Sequence, residues 1–264
     1  MRATKSFLFG NAIFFIIIFS ASSCKKETEN TSHQHIYFGQ QTALGTGTVQ
    51  TFASISHEGV PEEIGLTLSN NVFTSLPANI SDYMLELPER AQQVTPFKHV
   101  SFSWLPAGHP PAVFSVPHFD THFYILSHAE QMLIPAPDAT NQTLFAAPPD
   151  GYLPEDYTVP FAAVPMMGRH WIDKTSPVQP VNSTEPFMQE FMWGTYNRKV
   201  AFLEPMIAKA FIDALKSGTV TEVHKTIKQP RLFDQTGTYQ PTRYNIYKDA
   251  EGNVIFSLDK FVLR

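Results

Sequence analysis

Residues 117–124 read Pro-His-Phe-Asp-Thr-His-Phe-Tyr, a run in which polar and apolar residues alternate. Alternate side chains of a β-strand share one face, so this pattern predicts a strand from His118 to Leu126. The apolar face would carry Phe119, Thr121, Phe123 and Ile125 and contact the core. The opposite face would carry His118, Asp120, His122 and Tyr124. The side chains on that polar face need water or a bound partner.

The same alternation predicts strands on both sides of this run. Val100, Phe102 and Trp104 alternate with two serines, as in a strand with one buried face. Further strands are predicted at residues 48–56, 64–68, 187–193, 199–204, 244–247 and 254–258. Of these, 187–193 is joined to 199–204 across residues 194–198, and the last two form a hairpin across residues 249–253.

Few helices are predicted. Ser127 and Glu130 have the spacing of a capping box, which favours a short helix. Pro205 occupies a favoured first helical position, which predicts a helix to about Lys216. The 21 prolines, 13 glycines and 13% aromatic content favour short strands, and the proline-rich residues 134–160 predict a long surface excursion. We predict one mainly β (α+β) domain, a compact β-sandwich or barrel-like fold with a few short helices.

The N-terminus has the layout of an export signal. Arg2 and Lys5 precede an apolar run at residues 7–19, which is followed by small residues and Cys24. About 13 apolar positions are few for a membrane span, so the pattern favours a cleaved signal peptide at residues 1–23. Cys24 is the single cysteine of the chain, so it has no partner for an intramolecular disulfide.

Residues 21–24, Ala-Ser-Ser-Cys, resemble the lipobox of bacterial lipoproteins, although Ala21 stands where leucine is more usual. The resemblance implies that Cys24 is lipidated and becomes the first residue of the mature protein. Because two or more acyl chains anchor a protein firmly, we predict a cell-envelope lipoprotein, periplasmic or on the outer surface, bound to the membrane through Cys24. Residues 24–35 predict a flexible tether before a domain at residues 36–264. The alternative is an ordinary signal peptide with a free cysteine nearby.

The charge of the mature chain argues against nucleic acid as a partner. Removing Arg2 and Lys5 from the 19 basic residues leaves 17, against 24 acidic residues, a net charge near −7. No basic block follows the tether, and a nucleic-acid-binding surface needs one.

A divalent-metal site is the chemistry that the sequence favours. The chain has no G-x-S-x-G elbow, no phosphate-binding glycine loop and no H-E-x-x-H pair. Imidazole and carboxylate groups are good ligands for first-row metals. We predict a site for Zn²⁺, Mn²⁺ or Fe²⁺ formed by His118, His122, His170 and Glu204. Asp120 would orient an imidazole or replace one of these ligands.

His170 and Glu204 are assigned to this site by their surroundings in the sequence. His170 lies between bulky apolar neighbours in residues 167–173, as a ligand that points into a protein interior would. Glu204 ends a predicted apolar strand just before the predicted helix, where the helix dipole would stabilise a carboxylate.

The ligand set has alternatives. Residues four apart on a regular strand are about 13 Å apart, so His118 and His122 reach one ion only if the strand bends. His118, Asp120 and His170 also resemble the two-histidine, one-carboxylate triad of non-haem iron oxygenases. His109, in a predicted loop, is an outside candidate, and the histidines could instead be hydrogen-bonded pocket residues without a metal. The other histidines are predicted to be structural or at the surface: His33, His35, His57, His99, His128 and His224.

Six short motifs stand out along the mature chain. They are Gly59-x-Pro61 with Ile64-Gly65, Gly108-His109-x-Pro111, residues 117–124, Met167-Gly168-x-His170-Trp171-Ile172-Asp173, Phe202-Leu203-Glu204-Pro205-Met206, and Pro241-Thr242-x-Tyr244. Together they resemble the TTHB210-like domain family (DUF5602), a bacterial family of unassigned function, over about residues 36–264. The resemblance implies a compact β-rich extracytoplasmic domain capable of self-association, and it supplies no reaction.

Two functions follow from the sequence. The first is a membrane-anchored lipoprotein with a divalent metal, at which an open coordination position would acidify water or polarise a carbonyl. The second is a non-catalytic binding protein or homo-oligomeric assembly protein of the envelope, in which the histidine cluster is structural.

Overall fold

The computed structural model describes residues 35–264. The predicted signal peptide, Cys24 and all of the predicted tether except His35 lie outside the described residues. His35 is the first residue of a strand rather than part of a tether. Within residues 35–264, no helix is long and apolar enough to cross a membrane.

The described chain is built mainly from short strands. These strands are β1 (His35–Phe38), β2 (Thr42–Leu44), β3 (Gly47–Ile55), β4 (Pro61–Leu68), β5 (Ser81–Glu86), β6 (His99–Leu105), β7 (His118–Tyr124), β8 (Tyr157–Thr158), β9 (Arg169–Asp173), β10 (Gln189–Tyr196), β11 (Lys199–Ala208), β12 (Val223–Thr226), β13 (Tyr239–Gln240), β14 (Arg243–Lys248), β15 (Val254–Asp259) and β16 (Val262–Leu263). The α-helices are α1 (Glu89–Val94), α2 (His128–Met132) and α3 (Lys209–Ser217), and 3₁₀ turns lie at Asn70–Thr74, Ala112–Phe114 and Gln142–Phe145.

The strands form two large antiparallel sheets. The first sheet has the order β1-β3-β4-β15-β14-β12, with β2 paired to β3, and the second has the order β5-β6-β7-β11-β10-β9-β8. A small third sheet consists of β13 and β16. In the second sheet, the strands that carry the predicted ligands, β7, β11 and β9, lie within four neighbouring positions.

The inner faces of the two large sheets form the core. The Phe102 and Phe119 rings of the second sheet stack at 5.4 Å, and both pack against Phe256 of the first sheet, at 6.4 and 6.1 Å. Full burial of each ring contributes about 1.5–3 kcal/mol. The fold is therefore a β-sandwich. The barrel-like alternative is wrong, since each large sheet of the described chain has two ends and does not close on itself.

The predicted strands are confirmed. They correspond to β3, β4, β6, β7, β10, β11, β14 and β15, and the two predicted connections join antiparallel pairs, β10 with β11 and β14 with β15. The capping box of α2 is also present. The Ser127 hydroxyl accepts from the Glu130 N–H, and the Glu130 carboxylate accepts from the Ser127 N–H at 2.8 Å.

The predicted helix start at Pro205 is wrong. Pro205 lies inside β11, which continues to Ala208, and α3 begins only at Lys209. Met206 is buried, so continuation of the strand keeps its side chain inside the protein. Proline has no N–H to donate to a neighbouring strand. The strand tolerates Pro205 because the pairing of β11 with β7 is interrupted there: Leu203 and Met206 are paired with β7, but Glu204 and Pro205 are not.

The proline-rich residues 134–160 are only partly a surface excursion. Ile134 and Phe145 in this segment are buried and pack with Ala163. The Phe145 ring also lies 5.9 Å from the ring of Tyr196, at the end of β10. This segment therefore packs against the second sheet instead of extending freely into solvent.

Candidate metal centres

The polar face of β7 is turned away from the sandwich core and is nevertheless buried. Phe119 and Phe123 belong to the core between the sheets, and the alternate residues lie on the outer face, as predicted. Those residues are His118, Asp120, His122 and Tyr124, and each is at most 5% exposed. Buried polar groups need partners, so the contacts of this face decide its chemistry.

The structure brings the candidate ligands together in two groups. The Glu204 group consists of His122, His170 and Glu204, and the Asp120 group consists of His109, His118 and Asp120. In each group the three ligand atoms all lie within 4.8 Å of one another. Two histidines and one carboxylate are a common ligand set for zinc and for non-haem iron.

The order of the strands assembles the Glu204 group. On β7 and β11, the pairs Tyr124 with Phe202 and Asp120 with Met206 place Glu204 beside His122. On β10, Gly194 pairs with Phe202 on one side and with His170 of β9 on the other. His170 is therefore carried to the same face, two strands away from Glu204.

Phe202 supports both imidazoles of the Glu204 group. Its ring lies 4.8 Å from the His122 ring and 5.0 Å from the His170 ring, in edge-on contacts. The ring occupies the space that a side chain at position 194 would need, because a Cβ added to Gly194 would lie 2.1 Å from it. Gly194 is thus what allows Phe202 to pack beneath the two histidines.

The ligand atoms of the Glu204 group converge on one point. His122 Nε2 lies 3.2 Å from Glu204 Oε1, His170 Nε2 lies 3.3 Å from Glu204 Oε2, and the two Nε2 atoms are 3.5 Å apart. Glu204 Oε2 has no hydrogen-bond partner among the described residues. The carboxylate is thus close to both imidazoles and incompletely satisfied, as expected where a cation completes the set.

Burial sets the charge state of the Glu204 group. Burial lowers the pKa of His122 to about 4 and that of His170 to about 3. Burial, together with the negative charge of Asp120, raises the pKa of Glu204 well above its usual range. Both imidazoles are therefore neutral at pH 7, the state in which their nitrogen atoms can bind a metal.

The Asp120 group combines two strand residues with one loop residue. His118 Nε2 lies 3.1 Å from Asp120 Oδ1, and His109 Nε2 lies 3.4 Å from Asp120 Oδ2. Burial opposes ionisation of Asp120, but its contacts with His109 and His118 outweigh burial and lower the pKa of the carboxyl. Asp120 is therefore a carboxylate at neutral pH.

Gly108 positions the loop that carries His109. Its φ of +67° is in the left-handed region, and a Cβ there would lie 2.0 Å from the Phe114 carbonyl oxygen. The His109 N–H donates to that same oxygen at 3.2 Å, and the Ser115 hydroxyl donates to the His109 carbonyl at 3.3 Å. The close turn that holds His109 against Asp120 is thus compatible only with glycine at position 108.

Both groups line one cavity of about 340 Å³ on the outer face of the second sheet. His109, Asp120, His170 and Glu204 contribute its polar groups, together with Asp82 and Ser103. Much of the remaining wall is apolar and includes Leu105, Phe161, Met167, Met192 and Met206. A cavity with a few polar groups in an apolar wall is typical of small-molecule sites.

The predicted ligand set is divided between the two groups. His122, His170 and Glu204 come together, whereas His118 contacts Asp120 instead. β7 has no bulge in its pairing with β6, so the predicted separation of His118 and His122 along a regular strand holds. The outside candidate His109 completes the second group.

Glu204 belongs to the site as predicted, but it does not lie at the start of a helix. The sequence predicts a helix directly after Glu204, but α3 begins at Lys209, five residues later. Glu204 instead lies inside β11, opposite Met192 of β10. Its carboxyl is controlled by burial and by neighbouring side chains, without a helix dipole.

His99 has a structural role, one of the two that the sequence predicted for it. The residue is fully buried, and its ring stacks on Tyr124 at 5.0 Å. Its Nε2 lies 2.7 Å from the Gln131 side-chain oxygen. His99 thus has a protein partner at Nε2 and belongs to neither group.

Sequence reasoning missed Glu190. This buried residue of β10 contacts the Ser176 hydroxyl and accepts from the Phe191 N–H at 3.0 Å. Burial raises the pKa of Glu190 to about 7. The available signal was a carboxyl between two methionines on one face of the predicted strand, at positions 188 and 192.

Residues 56–104 match the model of the TTHB210-like family, described as "Hypothetical protein TTHB210". The match confirms the predicted resemblance over those residues, which run from the residue after β3 through most of β6. All six residues of the Asp120 and Glu204 groups lie beyond it. No curated protein and no solved structure significantly matches the chain.

Proposed function

We propose that this protein is a divalent-metal-binding lipoprotein of the bacterial cell envelope, anchored through Cys24, with a metal held by His122, His170 and Glu204. The observation that carries the proposal is the convergence of three buried ligand atoms within 4.8 Å of one another. The match to an uncharacterised family neither supports nor opposes a reaction.

The unpartnered carboxylate oxygen supports a metal-binding role for this set. A structural carboxyl in a protein interior is normally hydrogen-bonded, because an unsatisfied buried polar atom costs about 1–3 kcal/mol. Glu204 Oε2 is buried and has no such partner in the described part of the chain.

The ligand set supports a metal that is also reactive. Two histidines and a glutamate suit Zn²⁺, Mn²⁺ or Fe²⁺ and leave coordination positions open. A metal bound there would acidify a water molecule or polarise a substrate oxygen. His170 and Glu204 line the cavity, so a small molecule that enters it would meet the metal. We therefore propose hydrolytic or oxidative chemistry at this site.

The metal content of the purified mature protein tests the proposal. Elemental mass spectrometry should find at least one Zn, Mn or Fe per chain, and His170→Ala should lose about one equivalent while its thermal unfolding stays cooperative. His224→Ala is the matched control, because His224 also lies near a carboxylate, Glu222, at 3.5 Å but outside the cavity. Absence of bound metal after reconstitution with each of the three ions would overturn the proposal.

A further inference from the structure

We propose that His109, His118 and Asp120 form a second divalent-metal site, independent of the first and placed where the cavity meets solvent. The inference goes beyond the proposed function because the second ion needs none of the ligands of the Glu204 group. Its ligand would be a first-row divalent cation that accepts two imidazoles and one carboxylate.

Two of the three ligands are buried and unsatisfied. His118 is fully buried and Asp120 is 5% exposed. His118 Nε2 and Asp120 Oδ1 are only 3.1 Å apart, yet each lacks a hydrogen-bond partner within the described residues. The two atoms therefore face each other at contact distance without the geometry of a hydrogen bond, as two ligands of one ion do.

The backbone fixes which nitrogen of each imidazole is available. His118 Nδ1 lies 2.7 Å from the Val116 carbonyl oxygen, and His109 Nδ1 lies 2.7 Å from the Pro110 carbonyl oxygen. A carbonyl oxygen can only accept, so in both rings Nδ1 carries the hydrogen and donates it. When such a ring is neutral, its lone pair is therefore on Nε2, the atom that faces Asp120. Donation of the other ring N–H to a backbone carbonyl is the usual arrangement of a metal-bound histidine.

The two groups differ in their access to solvent. The His109 side chain is 36% exposed, compared with 10% for His170 and 1% for His122. His109 belongs to the loop that Gly108 and Ser115 hold against the cavity, so its imidazole is presented at the opening and is also held in place. A metal in the Asp120 group would thus exchange with solvent more readily than one in the Glu204 group.

The two proposed metal sites would lie beside the same cavity. His118 and Asp120 precede His122 on one strand, and Asp120 pairs with Met206, two residues after Glu204 on the next strand. Two residues of each group line the same cavity, His109 and Asp120 from one group and His170 and Glu204 from the other. A ligand bound in that cavity would therefore meet two cations, one near the opening and one deeper.

A matched pair of isosteric variants tests the second site. Full mature protein, stripped of metal by chelation, is dialysed against Zn²⁺, and the bound zinc per chain is measured. We expect two equivalents for wild type, one for Asp120→Asn, one for Glu204→Gln and none for the double variant. Co²⁺ substitution gives a second readout, because each site should contribute its own visible absorption bands, and Asp120→Asn should remove one set.

The outcomes separate this inference from the proposed function. One equivalent in wild type that is unchanged in Asp120→Asn would overturn the second site and leave the first. One equivalent that Asp120→Asn removes and Glu204→Gln retains would overturn the first site and leave the second. His109→Ala guards against misfolding, since this residue is partly exposed on a loop. It should lose the same equivalent as Asp120→Asn, and retention of both equivalents by a folded His109→Ala protein would contradict the proposal.

Discussion

Asp120 and Glu204 are buried carboxyl groups on neighbouring strands, and their surroundings act on them in opposite directions. His109 and His118 lower the pKa of Asp120 despite its burial, whereas burial and the charge of Asp120 raise the pKa of Glu204. Two adjacent buried carboxylates repel each other, and only Asp120 has contacts with imidazoles that lower its pKa. A cation at the Glu204 group would supply the missing compensation and allow the second carboxyl to ionise.

Glu190 provides a stability test that does not involve either metal group. Its pKa is raised to about 7 in the folded protein, from an ordinary value of 4.5, mainly by burial. A raised folded pKa means that the stabilising contribution is complete below pH 4.5 and is lost as the pH rises through 7. At 1.36 kcal/mol per pKa unit, the loss for Glu190 is about 3 kcal/mol.

Glu190→Gln removes this titration. We expect the variant to gain stability relative to wild type between pH 4.5 and pH 8, as measured by urea unfolding at several pH values. Glu185→Gln is the control, because Glu185 is exposed and should show no such change. If the free energy of unfolding depends on pH in the same way for wild type and Glu190→Gln, ionisation of the buried Glu190 carboxyl does not destabilise the protein.

At the scale of elements, the contact of β10 with β11 determines whether Phe202 can support the two histidines. A Cβ at position 194 would lie 2.1 Å from the Phe202 ring, and Gly194 does not need its conformational freedom, because its φ is not in the left-handed region. Gly194→Ala should therefore destabilise the protein by overpacking, by about 1–3 kcal/mol. It should also weaken metal binding at the Glu204 group, because His122 and His170 rest on the displaced ring.

A second substitution separates this steric effect from other consequences of Gly194→Ala. Phe202→Leu makes room for the new methyl group, so the double variant should be more stable than the sum of the two single effects implies. Urea unfolding of all four proteins measures this coupling. Additive effects would indicate that Gly194 is not needed to accommodate Phe202.

Elements with a strong local pattern could be predicted from the sequence, and those fixed by tertiary contacts could not. The alternation around His118 and the Ser127 capping box act over a few residues, and both appear as expected. Pro205 is equally compatible with a helix start and with a gap in a strand ladder, and the sandwich selects the strand. The sequence could not assign His109 to the Asp120 group, because the position of His109 depends on how the loop after Gly108 folds against Phe114.

The grouping of the ligands is a property of the sheet order. From sequence, His118, Asp120 and His122 appear as one cluster, but a regular strand separates them along its axis. The order β7-β11-β10-β9 then brings residues 122, 204 and 170 to one point. Sequence spacing alone carries no information about strand order. The sequence could therefore predict candidate metal ligands, but it could not divide them into two sites.

At the scale of the whole molecule, the site and the core lie on opposite faces of the second sheet. The core between the sheets is formed by the inner faces, with Phe102, Phe119 and Phe256 at its centre. Both candidate metal groups lie on the outer face, where His109 and Phe161 also line the cavity. Isosteric changes such as Asp120→Asn should consequently alter metal binding without dismantling the sandwich.

The predicted membrane anchor lies outside residues 35–264, which the structure describes. Within the described part of the chain, every core residue follows His35, and the predicted lipid is attached at Cys24, eleven positions before His35. Cys24→Ala should therefore move the protein from the membrane fraction to the soluble envelope fraction, because the acyl chains that hold it are lost. Its midpoint of thermal unfolding should equal that of the wild-type protein, since no core residue changes.

Ser22→Ala, which keeps the cysteine, is the control and should stay in the membrane fraction. Retention of Cys24→Ala in the membrane would contradict the lipoprotein assignment, and a lowered unfolding midpoint would show that the N-terminal segment contributes to the fold.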